Sequence, residues 1–463
     1  MDSTQTAEAQ PACDGPRALV GGPARAPAVG SARIELGELI DRRPMSNAQV
    51  LVAVLCAAAL FVDGYDIQVM ALAVPSLAHG WSLPESSFGL ALSAVVIGIC
   101  VGSGLLGPLG DRYGRRTMLA VTMAAIGIAT LCTSFAATPG EFVVWRLLTG
   151  LALGAGIPSC AALTSEYAPL ARRSLIMGLM NSASPIGAFS AGFIAPPVLE
   201  AFGWRGAFVI GGAAPLVIAL FVLRAPESLK FLLARRPTDP RIAQILRRVA
   251  PDVDPSSVHV QQLEKRLPSS PLDLLRAPLR SRTLLLWAML MLNLFNLYVL
   301  ISWLPTLLQQ SGWSPGAALR GAVLIQAGGV VGGLLMSRLL DRGATRSALL
   351  GGFILSALCL ASFTVLPSGG AWVALLLLVG AGVSGSQLSL NALSAAYYPP
   401  SIKATGVAWA LVIGSLGSVA APLAGAWLID FHLSPVYILA LLAIPSLVCA
   451  AGVALMRREW QAY

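Results

Sequence analysis

Apolar residues in this chain gather into long blocks and do not alternate with polar ones. We count twelve, centred near residues 60, 97, 126, 153, 185, 214, 293, 327, 356, 381, 415 and 444, with polar stretches between them. About 20 apolar residues at 1.5 Å each cross the hydrocarbon core of a bilayer as a helix. The pattern therefore predicts an all-α polytopic membrane protein with twelve transmembrane helices. The fifth and eleventh blocks are rich in Gly, Ser and Pro, yet both lack charge.

Sliding the chain against itself by 230 residues aligns Asp111-Arg112 with Asp341-Arg342, Gly150 with Gly380 and Tyr167 with Tyr397. The same shift brings Pro169 onto Pro399, Arg173 onto Lys403 and Gly187 onto Gly417. The chain thus divides into two pseudo-symmetric six-helix bundles, 47–224 and 282–458. A parallel repeat of this kind places a substrate between the halves near the midplane, exposed to each side in turn as they rock. Residues 1–46 read as a disordered N-terminal tail, 225–281 as a basic linker with an amphipathic helix around Ile242 to Val249, and 459–463 as a short tail.

Composition agrees: 56% of the 463 residues are hydrophobic and 11% charged, where soluble domains carry about 25% charged residues. A net charge of +9 could suggest nucleic acid, but its placement excludes that reading. Arginines precede the first block and follow the second, fourth, eighth and last; twelve Lys or Arg lie from Arg224 to Arg282, and Lys403 follows the tenth block. The other loops hold chiefly Arg205 and Arg320. The positive-inside rule then puts both termini and the linker in the cytoplasm. Seven scattered cysteines without a CxxC pair imply neither a disulfide framework nor a metal site, and no cofactor is expected. No signal peptide opens the chain, and no nucleotide-binding P-loop or catalytic constellation is present, so the chain does not read as an enzyme and an ion gradient is its expected energy source.

Two aspartates, Asp63 and Asp66, interrupt the first block. A carboxylate at bilayer depth is costly unless protonated, paired or hydrated, so a membrane chain that keeps two is expected to use them. Three residues apart, they project from one helical face. Two neighbouring carboxylates in a poorly hydrated space cannot both ionise cheaply, so one is expected to bind a proton near neutral pH. Arg146 in the fourth block is the candidate partner of Asp66, in which case that aspartate is a structural ion pair; alternatively Arg146 snorkels to the headgroups. Asn181, Asn293, Asn296, Gln326, Gln387 and Asn391 are polar side chains inside spans, available either to line a cavity or to join helices. Tyr65, Tyr298 and Trp303 are candidates to stack on an aromatic ring, with an interfacial belt as the other reading of Trp303.

Gly107-Pro108-Leu109-Gly110-Asp111-Arg112-Tyr113-Gly114-Arg115-Arg116, after the second block, resembles the loop between helices 2 and 3 of the major facilitator superfamily. Arg146 followed by Gly150, Gly154 and Gly156 resembles that superfamily's helix 4. Asp63-Gly64-Tyr65-Asp66 resembles the first helix of its aromatic acid:proton symporter family. That likeness extends over most of the chain, through Ser165-Glu166-Tyr167, Phe202-Gly203-Trp204-Arg205, Pro226-Glu227-Ser228, Ser302 to Leu308 and Ala404-Thr405-Gly406. There are departures: Gly414-Ser415 stands where the family usually has glycine and arginine, Pro158-Ser159 where it often has Pro-Asn, and Lys403 where it has arginine.

The resemblance implies a symporter that imports a small aromatic carboxylate with protons across the bacterial inner membrane by alternating access, with Asp63 and Asp66 carrying coupling. Substrate contacts are expected from Tyr65, Arg146, Asn293, Asn296, Tyr298, Gln326, Gln387 and Asn391. Gating is expected from Asp111, Arg112, Arg115, Arg116, Glu166, Asp341 and Arg342, although the arginines equally serve topology alone. The expected partners are the organic acid, protons and the bilayer, and the chain is expected to act as a monomer. Proton-driven efflux of drugs or metabolites uses the same carboxylate logic and is the alternative; a transport-inactive receptor would need a signalling domain that the linker does not offer.

Overall fold

The computed structural model describes residues 34–35, 40, 45–235, 238–249, 258–259, 274–276, 279–366, 369–398 and 402–456. Eleven helices there are long and apolar enough to cross a membrane, and one of them, Leu175–Val222, has 48 residues. At 1.5 Å per residue that is about 70 Å, twice a bilayer. Gly203 divides it, with φ 64° and ψ −171°, a conformation open to glycine and closed to most other residues. The eleven helices are therefore twelve crossings.

We number the crossings α1 (Asn47–Trp81), α2 (Gly89–Leu105), α3 (Arg115–Ser134), α4 (Pro139–Tyr167), α5 and α6 (the parts of Leu170–Val222 before and after Gly203) and α7 (Arg280–Gln310). The rest are α8 (Pro315–Ala322 continued by Leu324–Asp341), α9 (Thr345–Ser362), α10 (Gly370–Tyr397), α11 (Lys403–Asp430) and α12 (Pro435–Leu441 continued by Ala443–Leu455). The short helices Leu109–Tyr113, Leu229–Arg235 and Arg241–Val249 lie in the connections. Apart from a two-residue parallel pairing of Ile34–Glu35 with Val258–His259, the described secondary structure is helical. A Ser46 capping box with Gln49 starts α1. Pro75 does not end that helix, which runs on to Trp81.

Each half packs by the same scheme: α1 on α5, α2 on α4 and α3 on α6 in the first bundle, and α7 on α11, α8 on α10 and α9 on α12 in the second. The 230-residue shift holds at the level of single contacts. A methyl group added to Gly98 would meet the Leu147 carbonyl, and one on Gly328 the Leu377 carbonyl. Gly150 faces Val95 as Gly380 faces Ile325, Gly102 faces Leu151 as Gly332 faces Ala381, and Gly187 faces Phe61 as Gly417 faces Met291. These glycines let the backbones of paired helices touch, which in a membrane supplies the dispersion contacts that bind helices.

One hydrophobic core is shared by both bundles toward the ends of α1 and α7 marked by Leu77 and Leu308, with Val69, Leu72, Leu304 and Leu307 among its members. Toward the face that carries the basic connections the bundles keep separate cores, one around Leu55, Leu119 and Leu163 and the other around Leu286, Phe353 and Leu390. The molecule is thus sealed on one face, and its two halves part on the basic face. Helix Arg241–Val249 buries Ile242, Ile245, Leu246 and Val249 in the first bundle's separate core, the apolar face expected there. Most of the expected tail and linker, and residues 459–463, lie outside the described residues, although Ile40 is buried in that same core.

Candidate functional site

Asp66 lies mid-helix, fifteen residues before the end of α1, and is 0% exposed. Arg146 of α4, also 0% exposed, donates from Nη1 to Asp66 Oδ1 at 3.2 Å and from Nη2 to Asp66 Oδ2. Thr130 of α3 adds a third donor to Oδ1 at 3.1 Å, and the Phe208 ring of α6 lies 5.3 Å from the guanidinium carbon. The charge on Asp66 is therefore paired and hydrogen-bonded within the first bundle, and Arg146 does not snorkel. A bidentate fork is the strong geometry for this pair.

Asp63, one turn toward the basic face, is 6% exposed and has no such partner. Its Oδ1 is buried without a hydrogen bond. It lines a narrow crevice with Ala59 and Leu60 of α1, Met123 of α3 and Leu153, Gly156, Ile157 and Cys160 of α4. The Tyr298 hydroxyl of α7, in the other bundle, lies within electrostatic range of Asp63. The two aspartates do share one helical face, and α4 receives both, but only Asp66 is neutralised by a cation.

The other expected substrate residues divide. Gln326 of α8 reaches across to Gln68 of α1, 3.4 Å from Nε2 to Oε1, a bridge between bundles in which Gln68 escaped the sequence reading. Asn293 donates to the Val383 carbonyl and to Gln387, which donates to Asn391. Tyr298 is half-buried. Asn296 belongs elsewhere: fully buried, it donates to the Leu442 carbonyl and to Ser446, both on α12. Three residues turn a helix through about 300°, so Asn293 and Asn296 lie about 60° apart, enough to address different neighbours. Tyr65 is likewise turned into the first bundle, its ring against Gly211 of α6. Trp303 is fully buried and donates to the Pro422 carbonyl at 2.9 Å, so it is neither an interfacial anchor nor free to stack. Ser415 of α11 lies in hydrogen-bond range of the Cys100 thiol of α2, at the seam between the bundles. Asn181 of α5 is exposed.

At the basic face the expected gating residues join a hub that sequence reasoning passed over. Glu227, just beyond α6, is 3% exposed and accepts from the backbone nitrogens of Arg116, Thr117 and Ser228, at 2.8, 3.3 and 3.0 Å, and from Thr117 Oγ1 at 3.0 Å. A carboxylate there caps the N-terminus of α3, where orphan amides and the helix dipole favour an anion. Gly114, with φ 104°, brings the chain against that carboxylate, where a side chain would collide with it. Arg116 donates to the Val222 and Leu223 carbonyls. Arg115 bridges Asp111, at 3.1 Å, and Glu166, which in turn accepts from Ser228. Asp111 is 72% exposed at its side chain, Arg112 leans on Tyr113, and Arg342 is exposed. These contacts stay inside the first bundle. Asp341 ends α8, and its side chain lies outside the described residues. The sequence offered Glu227 only within the Pro226-Glu227-Ser228 likeness, and its partners Thr117 and Arg116 lie 110 and 111 residues away.

A family model described as Major Facilitator Superfamily matches residues 56–386 and 322–459. The gallate transporter of Pseudomonas putida is 33% identical over 431 residues, 91% of this chain and 95% of that protein. The 4-hydroxybenzoate transporter PcaK of Acinetobacter baylyi is 35% identical over 426 residues, covering 90% and 92%. Among solved structures, the inward-open xylose transporter XylE from E. coli superposes with a TM-score of 0.69 at 16% identity, covering 87% of this chain and 95% of that one. A bacterial homologue of the lysosomal transporter Spinster gives 0.64 at 16% identity, over 89% and 95%.

Proposed function

The chain belongs to the Major Facilitator Superfamily, a family of transporters and not of enzymes, and on that premise we propose that it imports a small aromatic carboxylate together with protons by alternating access. The observation that carries the coupling is Asp63, a carboxylate in mid-membrane with an unpartnered buried oxygen, one turn from an Asp66 that Arg146 already neutralises. An unpaired carboxylate in that setting is cheapest when it holds a proton and can keep its charge only when water or a partner reaches it. Rocking of the two bundles changes that access, so proton loading follows the side to which the site is open.

The aromatic acid rests on the gallate and 4-hydroxybenzoate transporters, each similar along nine-tenths of this chain. Substrate would lie between the bundles, against Tyr298, Gln326, Gln387 and Asn391. Asp111, Arg112, Arg115, Arg116, Glu166, Asp341 and Arg342 would regulate closure of the basic face; within that set, Arg115 at the start of α3 bridges to Glu166 at the end of α4. The basic connections support a cytoplasmic location for this face and both termini. In proteoliposomes, an imposed inward proton gradient should drive accumulation of 4-hydroxybenzoate or gallate above equilibrium. Accumulation driven instead by an outward proton gradient would indicate proton–substrate exchange and hence export, and no movement of either acid would reject the reading.

A further inference from the structure

The 230-residue repeat relates Asp63 to Asn293 and two of the α4 residues lining its crevice, Leu153 and Ile157, to Val383 and Gln387 of α10. Where the first bundle holds an acid, the second holds a chain of amides. Asn293 Nδ2 donates to the Val383 carbonyl at 3.1 Å and to Gln387 Oε1 at 2.9 Å, and Gln387 Nε2 donates to Asn391 Oδ1 at 3.1 Å. The direction of this chain is set by its anchor. A backbone carbonyl only accepts, so the nitrogen end of Asn293 must face Val383. That nitrogen fixes the Gln387 oxygen as acceptor, the Gln387 nitrogen then donates to the Asn391 oxygen, and Asn391 ends the chain with its N–H pair not drawn into it. Hydrogen bonds in series polarise one another, which strengthens the donors at the end.

Asn391 is half-buried and follows Leu390, a member of the second bundle's separate core, so it lies on the side where the two halves part. Among the described residues, the two span positions from which a cation was expected do not offer a free one. Arg146 is paired with Asp66, and position 415, which faces α2, carries serine. We propose that the Asn391 amide receives the carboxylate of the aromatic substrate, with Gln387 and Asn293 as positioning residues that aim it. This rests on the aromatic-acid reading above and adds to it how the acid is held: by neutral donors in one bundle, while the proton is carried by Asp63 in the other. A loaded carrier then needs no buried cation for the substrate.

The test compares 4-hydroxybenzoate with its neutral methyl ester, by calorimetric titration of the purified full-length protein. Asn391→Leu should weaken the acid about tenfold, the loss of one hydrogen bond to a charged group, and leave the ester within about twofold. Asn391→Asp, which sets a like charge against the acid, should weaken the acid more and the ester little. Gln387→Leu, which removes the aim but not the donor, should narrow the acid-over-ester preference to an intermediate degree. Unchanged acid affinity in the Asn391 variants, or equal loss of acid and ester, overturns the proposal while the aromatic-acid reading stands. A wild-type protein that binds neither probe overturns both.

Discussion

Asp66 on α1 and Arg146 on α4 meet as a bidentate ion pair inside the first bundle, both without solvent exposure. Truncating one partner of a buried pair leaves an uncompensated charge, at a cost of about 3–5 kcal/mol, whereas replacing both by apolar residues of similar volume is often close to neutral. Asp66→Leu and Arg146→Met should each destabilise the protein by that amount in detergent unfolding. The double variant should recover most of the loss. Additive losses would show that the two charges do not act as a unit.

The repeated glycine contacts predict matched sensitivities in the two halves. Gly98→Leu and its counterpart Gly328→Leu drive a side chain into a backbone carbonyl that cannot move without its helix. Both should cost about 3 kcal/mol, the upper end of ordinary overpacking. Gly104→Ala and Gly351→Ala meet nothing within 4 Å and should leave the melting temperature unchanged or slightly raised. A Gly328 variant as stable as the Gly351 variant would contradict the packing repeat.

Glu227 ties the start of α3 to the end of the first bundle. Glu227→Ala leaves the amides of Arg116 and Thr117 without their acceptor in a buried setting, a loss of about 2–4 kcal/mol from caps and orphaned donors together. Glu227→Gln keeps one acceptor oxygen and should lose about half as much. Hydrogen exchange should show the first turn of α3 opening sooner in both variants, with α9 unaffected.

Hydropathy alone located the twelve crossings, because twenty apolar residues in lipid have few other options, and the repeat was visible in six coincident positions. The structure extends that repeat to glycines whose role is invisible until their carbonyl neighbours are known. Asp63 and Asp66 were legible as a charged pair in an apolar run, and Arg146 as a cation at reachable depth. Arg146 was the candidate partner of Asp66, and the two do meet as an ion pair. Asn296 and Tyr65, expected at the substrate, and Trp303, a stacking or interfacial candidate, are packed against neighbouring helices: a polar or aromatic side chain in a span reads the same whether it turns toward a cavity or into its own bundle. Glu227 and Gln68 act through partners more than a hundred residues away, beyond the reach of any local pattern.

The account turns on Asp63 as the residue that loads and releases the coupled proton. Asp63→Asn, nearly isosteric and uncharged, should abolish uptake of 4-hydroxybenzoate driven by a proton gradient in proteoliposomes. Exchange of labelled for unlabelled substrate across the same membranes, which needs no net proton movement, should persist. Gradient-driven accumulation in the Asp63→Asn protein at the wild-type level would contradict the central claim.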